Sequence, residues 1–389
     1  MRMSRLVRWL AVVAVVTGIA APAPAPAEQP IRFGASLSTT GKYAALGELL
    51  RDGYLLCQKD INGQGGLLGR KLDLIVLDDE SESEVAVRNY EKLIVTEKVD
   101  ALLGPVTSLS TDAAANLAEG SHKVMIAPMA STTTLWERGR KYLFMVRSPS
   151  EIYLEGFIDL AARNGLKTVA FISEDTNFPR SVVRGAVEQA KKRGMEVVFQ
   201  GEYPKGTTDF SGILAKVKAA KPDVLGTATF LLDVHAITTQ MKELDLNVKM
   251  VGTSVGTDRM LGKEGEDAFG ASQWEPGLPF PGLKEFVEAY KKEFDRDAGE
   301  VSAGAYASCQ VLAEAVRRAK SLDGGKLREQ LLKLRTKTVF GDFAVDERGY
   351  QVGHKLVLTQ WQSGRWLIVW PENAATGKLR FPTPPWSQR

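Results

Sequence analysis

Two hydroxyl-rich segments, Gly104-Pro-Val-Thr-Ser-Leu-Ser-Thr111 and Ala127-Pro-Met-Ala-Ser-Thr-Thr-Thr134, each follow directly on a short apolar run, Ala101 to Leu103 and Val124 to Ile126. In an open parallel sheet such loops sit at the carboxyl ends of strands, facing the crevice where ligands bind. A hydroxyl beside the free N–H groups of a helix start satisfies a desolvated anion without a buried arginine. The chemistry expected of these residues is the grip of a small carboxylate. Ordinary helix capping is the competing use of Ser108 and Ser131, since Ser and Thr cap commonly.

Other chemistry finds little support. No Cys or His pair has metal-ligand spacing and no G-x-x-x-x-G-K phosphate loop occurs, so neither a metal nor a cofactor is expected. Asn62-Gly-Gln-Gly-Gly-Leu-Leu-Gly69 follows a helical pattern and reads as a helix stop. Asp78-Asp79-Glu80 with Glu82 and Glu84 reads as a solvated acidic loop after a strand, with calcium or permease contact as the alternative. Gly252-Thr-Ser-Val-Gly256 follows the strand pattern Val248 to Val251 and fits the G-x-S-x-G elbow of hydrolases, with Ser254 as nucleophile. That reading needs a base, and of His122, His235 and His354 only His354 lies well downstream, in a segment assigned elsewhere. Ser254 is therefore read as lining a binding pocket, and no catalytic residue is assigned; a serine hydrolase stays as the remote alternative.

The elements that must position these loops alternate. Strand patterns at Ile31 to Ser36, Leu72 to Leu77, Ala101 to Leu103 and Val124 to Ile126 interleave with helical patterns at Tyr43 to Ile61, Val85 to Glu97 and Thr111 to Gly120. A second set begins after Arg147: helix Ile152 to Asn164, strand Thr168 to Ile172, helix Ser181 to Arg193, strand Glu196 to Phe199, helix Phe210 to Ala219, then strands Asp223 to Ala228 and Val248 to Gly252. This βα repetition predicts an α/β fold of two lobes, each a mostly parallel sheet flanked by helices. The Pro- and Gly-rich stretch Trp274 to Gly282 suits a crossing between lobes, after which helices Leu283 to Phe294, Ala303 to Lys320 and Lys326 to Leu334 are expected to rejoin the first lobe. Lys355 to Trp361 and Trp366 to Trp370 read as a hairpin. The boundaries expected are 28–147 plus 276–353 for lobe 1, 148–275 plus 354–370 for lobe 2, and a Pro-rich tail, 371–389, as an extended strap or loose end.

Residues 1–27 read as a secretory signal peptide: Arg2, Arg5 and Arg8 precede the apolar run Trp9 to Ala21, and Ala25-Pro26-Ala27 offers the cleavage site. The mature chain is then expected in the periplasm. Removing the leader takes away three arginines and no acids, so the formal charge falls from +3 to zero. That balance offers no basic face for nucleic acid. The two cysteines, Cys57 and Cys309, fall in helical patterns and are read as free thiols in apolar packing, with a bridge between distant segments as the alternative that export permits.

The chain also resembles a known family. Ile31-Arg-Phe-Gly-Ala-Ser-Leu-Ser-Thr-Thr-Gly-Lys-Tyr-Ala-Ala-Leu-Gly47, Asp60-Ile-Asn-Gly-Gln-Gly-Gly-Leu-Leu-Gly69, Leu77-Asp-Asp79, Gly104-Pro105 with Ser108, Ile126-Ala-Pro128, Thr208-Asp-Phe-Ser211 and Lys221-Pro-Asp-Val224 are similar to the periplasmic solute-binding proteins of the branched-chain amino acid type, which serve ABC importers. The similarity runs over roughly Ile31 to Gly353. It implies a two-lobed type I periplasmic binding fold, joined by hinge strands, that closes on a small-molecule solute and delivers it to a membrane permease, working as a monomer. Hinge closure is the domain motion characteristic of periplasmic binding proteins, and ligand drives it by contacting both lobes only when they are closed.

The resemblance implies that Ser108 holds the ligand carboxylate and that Ser131 faces the same group from the next loop. Leu46 stands at a ligand contact and the Met129 backbone lines the pocket. Amino-acid binders of the family place an acid, partner of the ligand's ammonium, where this chain has Ser254, and second-lobe tyrosines where it has Phe178 and Phe230. Plain lobe packing is the alternative for the two phenylalanines. A buried ammonium without a partner costs several kcal/mol, and cation–π contact recovers only about 0.5 to 2 kcal/mol. Unless Asp175, Asp233, Asp258 or Glu275 supplies the charge, an aromatic or aliphatic acid or an amide suits this pocket better than a branched-chain amino acid. A ligand-sensing module presenting the same fold to a receptor is the alternative function.

Overall fold

The structure, a computed structural model, describes residues 29–254 and 265–389; the expected leader, Asp258 and the end of the Gly252 to Gly256 pattern lie outside them. The first lobe runs β1 (Ile31–Leu37), α1 (Ala44–Gly63), β2 (Leu72–Asp78), α2 (Ser83–Val95), β3 (Ala101–Leu103), α3 (Ser108–Gly120), β4 (Met125–Ala127) and β5 (Leu143–Met145). The chain then crosses into α4 (Glu155–Arg163), β6 (Thr168–Glu174), α5 (Asn177–Lys192), β7 (Glu196–Tyr203), α6 (Ser211–Ala220), β8 (Val224–Ala228), α7 (Leu231–Glu243), β9 (Met250–Thr253) and β10 (Phe269–Ser272). It returns with α8 (Leu283–Phe294), α9 (Glu300–Ala319), α10 (Gly324–Lys333), β11 (Arg335–Thr338) and β12 (Gly341–Ala344), and ends in the hairpin β13 (Val357–Gln362) and β14 (Arg365–Trp370).

One sheet has the order β2-β1-β3-β4-β5, parallel throughout. Its inner strands β1, β3 and β4 are buried on both faces; β3 and β4 accordingly read as unbroken apolar runs, whereas β1 is interrupted by Arg32 and Ser36. The other sheet, β14-β13-β10-β9-β8-β6-β7, is parallel from β7 to β10 and closes with the antiparallel hairpin. Among the described residues strand β11 pairs only with β12.

Helix α9 packs along α1. Both carry small residues at the contact: Gly53 of α1 lies so near the Ser302 carbonyl that a Cβ there would overlap it. At this seam the free-thiol reading is corrected, because Cys57 and Cys309 form a disulfide between α1 and α9, with a Cα–Cα distance of 6.3 Å. Residues 252 apart in sequence meet because α9 returns to the first lobe, a proximity helical patterning does not reveal. The solvated reading of the acidic run holds for Glu80, Glu82 and Glu84, which are exposed, and is corrected at Asp79. Asp79 is buried and accepts from the Ser38 hydroxyl (2.6 Å) and Ser81 N–H (3.0 Å), while Asp78 accepts the N–H groups of Thr39 and Thr40. Two carboxylates thereby hold the loop after β1, which would otherwise leave its donors unmet.

The tail straps the second lobe. Thr383 N–H donates to the Lys249 carbonyl (2.9 Å), and Trp386 donates through Nε1 to the Leu246 carbonyl (2.8 Å) while its ring packs on the second-lobe core. No helix of the described residues is long and apolar enough to cross a membrane.

Three crossings join the lobes and are stitched to one another. Ser148 N–H donates to Gln273 Oε1 (2.6 Å), Ser148 Oγ to the His354 carbonyl (3.1 Å), and Gln351 Nε2 to the Val146 carbonyl (2.9 Å). Arg147 pairs with Glu300 at 2.6 Å, and Glu300 also accepts Gln273 N–H at 2.9 Å. His354, stacked on Phe340 at 4.8 Å, meets the Gln273 carbonyl through Nε2 at 3.0 Å. Burial pulls its pKa down to about 4, only partly opposed by that carbonyl, with Arg147 adding to the depression. The unfolded chain therefore takes up this proton first, so the stability held above pH ~6.5 is lost as pH falls toward ~4, by at most roughly 3 kcal/mol. His354→Gln is expected to flatten this part of a denaturation-midpoint profile against pH; an unchanged acid slope would show the loss to come from elsewhere.

Candidate functional site

Strand ends place the site. Helix α3 begins at Ser108, three residues earlier than the sequence pattern suggests, because Thr107 supplies the N-cap by accepting Ser110 N–H at 3.0 Å. Capping is thus done by Thr107, which leaves the Ser108 hydroxyl for another partner. That partner is the neighbouring loop: Ser108 Oγ accepts Ser131 N–H at a long 3.4 Å. Ser131 Oγ is fully buried and makes no well-formed hydrogen bond, although the Tyr153 hydroxyl lies close enough to sense it. An under-satisfied hydroxyl pair beside the first turn of α3 is a place where an incoming carboxylate oxygen gains donors without displacing strong bonds.

From the second lobe come Phe178, in the first turn of α5, and Phe230, the residue before α7. Tyr43, Phe230, Phe178 and Tyr153 form an aromatic run with successive ring centroids 5.2, 5.8 and 5.4 Å apart. Ser108, Tyr43, Phe178 and Phe230 line one cavity of about 10 Å³, room for a single water. There the lobes touch.

The other expected residues sit as follows. Ser254 follows β9, is buried, and accepts Thr229 N–H through Oγ at 3.4 Å. Among the described residues no histidine serves it: His354 is held in the crossings, and His122 and His235 are exposed. Leu46 lies in the first turn of α1 within the core, and Met129 is half-buried against the same core; neither lines that cavity.

Sequence reasoning did not single out Lys42, Tyr43, Tyr153 or Glu174. Lys42 Nζ lies 2.5 Å from Glu174 Oε2 and 3.6 Å from Asp233 Oδ2. Tyr43 and Tyr203, buried beside those acids, have their hydroxyl pKa values pushed up, chiefly by burial. A signal existed: Lys42 and Tyr43 follow β1 and Glu174 ends β6, the same strand-end position that picked out Ser108. Tyr153 links Ser131 to the crossings, since Gln273 Nε2 donates to its hydroxyl.

Comparisons with known proteins agree with this architecture. The chain is 24% identical over 383 residues to Leu/Ile/Val-binding protein homolog 7 of Brucella abortus (strain 2308), covering 92% of this chain and 96% of that one. The leucine-binding protein LivK of Thermotoga maritima superposes with a TM-score of 0.81 at 23% identity, over 88% of this chain and 99% of its own. A solute-binding protein of an ABC transporter from Rhodopseudomonas palustris BisB5, in complex with 3,4-dihydroxy benzoic acid, superposes with a TM-score of 0.80 at 23% identity, over 91% and 99%. A family model described as periplasmic binding protein matches residues 30–365, so the chain, with its two lobes and three stitched crossings, belongs to the periplasmic binding protein family.

Proposed function

We propose that this chain is the extracytoplasmic solute-binding component of an ABC importer, taking a small carboxylate-bearing solute between lobes 28–147 plus 276–353 and 148–275 plus 354–370 and delivering it to a membrane permease. It acts in the periplasm as a monomer after loss of residues 1–27, and turns nothing over. The observation that carries the reading is the meeting of Ser108 and Ser131 at the mouths of β3 and β4, with Ser108 sharing a cavity wall with Phe178 and Phe230. Hydroxyls and the α3 N-terminus suit the carboxylate, and the aromatic run suits an apolar body.

That one structural relative holds a dihydroxybenzoic acid while another is named for leucine leaves both solute kinds within reach of the fold. The phenylalanines at 178 and 230, with Ser254 where an acid is expected, favour an unaminated acid here. Thermal shift against benzoate, hydrocinnamate, isocaproate and leucine tests this, because a solute at 100 times its Kd adds roughly 2.7 kcal/mol. An unaminated acid is expected to stabilise the protein, and Ser108→Ala to weaken its binding about 10- to 100-fold, the worth of a hydrogen bond to a charged group. The reading is lost if no acid stabilises, or if Ser108→Ala and Ser131→Ala both leave affinity unmoved.

A further inference from the structure

We propose that Lys42 is the specificity-determining residue of the cleft: its own ammonium fills the carboxylate pocket of the second lobe, so that solutes bearing a second, free ammonium are turned away. The inference rests on the reading above and names the solute class that reading leaves open.

Glu174 and Asp233 are charged groups of one lobe buried almost completely, 0% and 4% exposed, at the end of β6 and in the first turn of α7. Buried carboxylates persist only where donors or cations meet them. Here the cation comes from the opposite lobe. Lys42, in the loop after β1, reaches across to both, and hydroxyls take the remaining positions. Thr176 Oγ1 donates to Glu174 Oε1 at 3.0 Å, and Thr229 Oγ1 and the Tyr203 hydroxyl donate to Asp233 Oδ2 at 3.0 and 3.3 Å. Lys42 also lies 5.7 Å from the centre of the Tyr43 ring, which packs on Phe230 of the cavity wall. The acids are therefore at the cleft, against a residue that lines it, and their demand for an ammonium is met by the protein.

The consequence is a division of labour on closure. The solute contributes a carboxylate to the Ser108 and Ser131 side, and Lys42 contributes the ammonium to the Glu174 and Asp233 side. A zwitterionic amino acid would bring an ammonium to acids already occupied, and would have to displace Lys42 into a half-buried, unpaired state. An acid of the same carbon skeleton meets no such competition. Lys42 also draws the lobes together only when they are near, because a pair at hydrogen-bond distance in a partly desolvated site is strong and one across open water is not.

Calorimetric titration of two matched pairs, isocaproate with leucine and hydrocinnamate with phenylalanine, reads this out as a ratio within each pair. The wild type is expected to favour the unaminated member roughly tenfold or more, and Lys42→Met to move the ratio at least about tenfold toward the amino acid, by freeing the acids for its ammonium. Lys42→Arg keeps the charge and is expected to keep the wild-type ratio. Lys42→Met combined with Glu174→Gln and Asp233→Asn leaves no unpaired buried charge, so it folds even if the single variant does not, and it is expected to refuse the amino acids again. Ratios that Lys42→Met and the triple variant both leave where the wild type has them overturn the inference alone. A wild type that binds no member of either pair overturns the underlying reading, and this inference with it.

Discussion

Replacing Cys57 and Cys309 together by alanine is expected to lower the unfolding free energy of the first lobe by about 3–5 kcal/mol. The bridge closes a loop of 252 residues, and the chain-entropy estimate for loops longer than 100 residues approaches ~5 kcal/mol. The folded state loses little in return, because α1 and α9 stay packed, with Gly53 against Ser302 and Ala305 and with Leu50, Tyr54 and Leu312 fully buried in the same core. The effect therefore acts mainly on the unfolded chain. Denaturant midpoints of the oxidised wild type, the reduced wild type and the double variant measure it. The reduced protein and the variant should fall together, well below the oxidised form, and a difference under about 1 kcal/mol would mean that the helix seam alone sets the stability of this lobe.

Removing the guanidinium in the crossings is expected to cost as much by a different route. In Arg147→Met the Glu300 carboxylate keeps Gln273 N–H and the Ser272 hydroxyl but loses its cation at 2.6 Å, in a place where both side chains are nearly inaccessible. Breaking a buried pair by removing one partner typically costs about 3–5 kcal/mol, since the surviving charge has nowhere to be solvated. Adding Glu300→Gln to Arg147→Met should recover much of that loss, because no uncompensated charge is then buried. A double-mutant cycle in urea isolates the coupling; a cycle that closes to within about 0.5 kcal/mol would show that the two side chains act independently. The same variants report on function, because Glu300 and Gln273 connect these crossings to Tyr153 beside Ser131.

Much of the architecture was legible in sequence because parallel strands buried on both faces announce themselves as apolar runs, as β3 and β4 do. Helices with one polar face, such as α5 and α8, do the same through their period. Strands β5 and β10 were not singled out, β10 having its short run broken by Gly270 and Ser272, and α7 carries too weak an apolar stripe to stand out. In the candidate site, the place of Ser108 after a strand was legible. Its freedom from capping was not, because that depends on Thr107 taking the cap.

Sequence by itself determined the βα alternation, the order of the segments and the placing of hydroxyls at the ends of β3 and β4, since periodicity and strand-end position are local properties of the chain. Tertiary structure alone decided which distant residues meet: Cys57 with Cys309, Arg147 with Glu300, and Lys42 with Glu174 and Asp233. Each of these partnerships joins segments more than 100 residues apart, and a charge or a thiol carries no sign in the sequence of the partner that burial will force upon it.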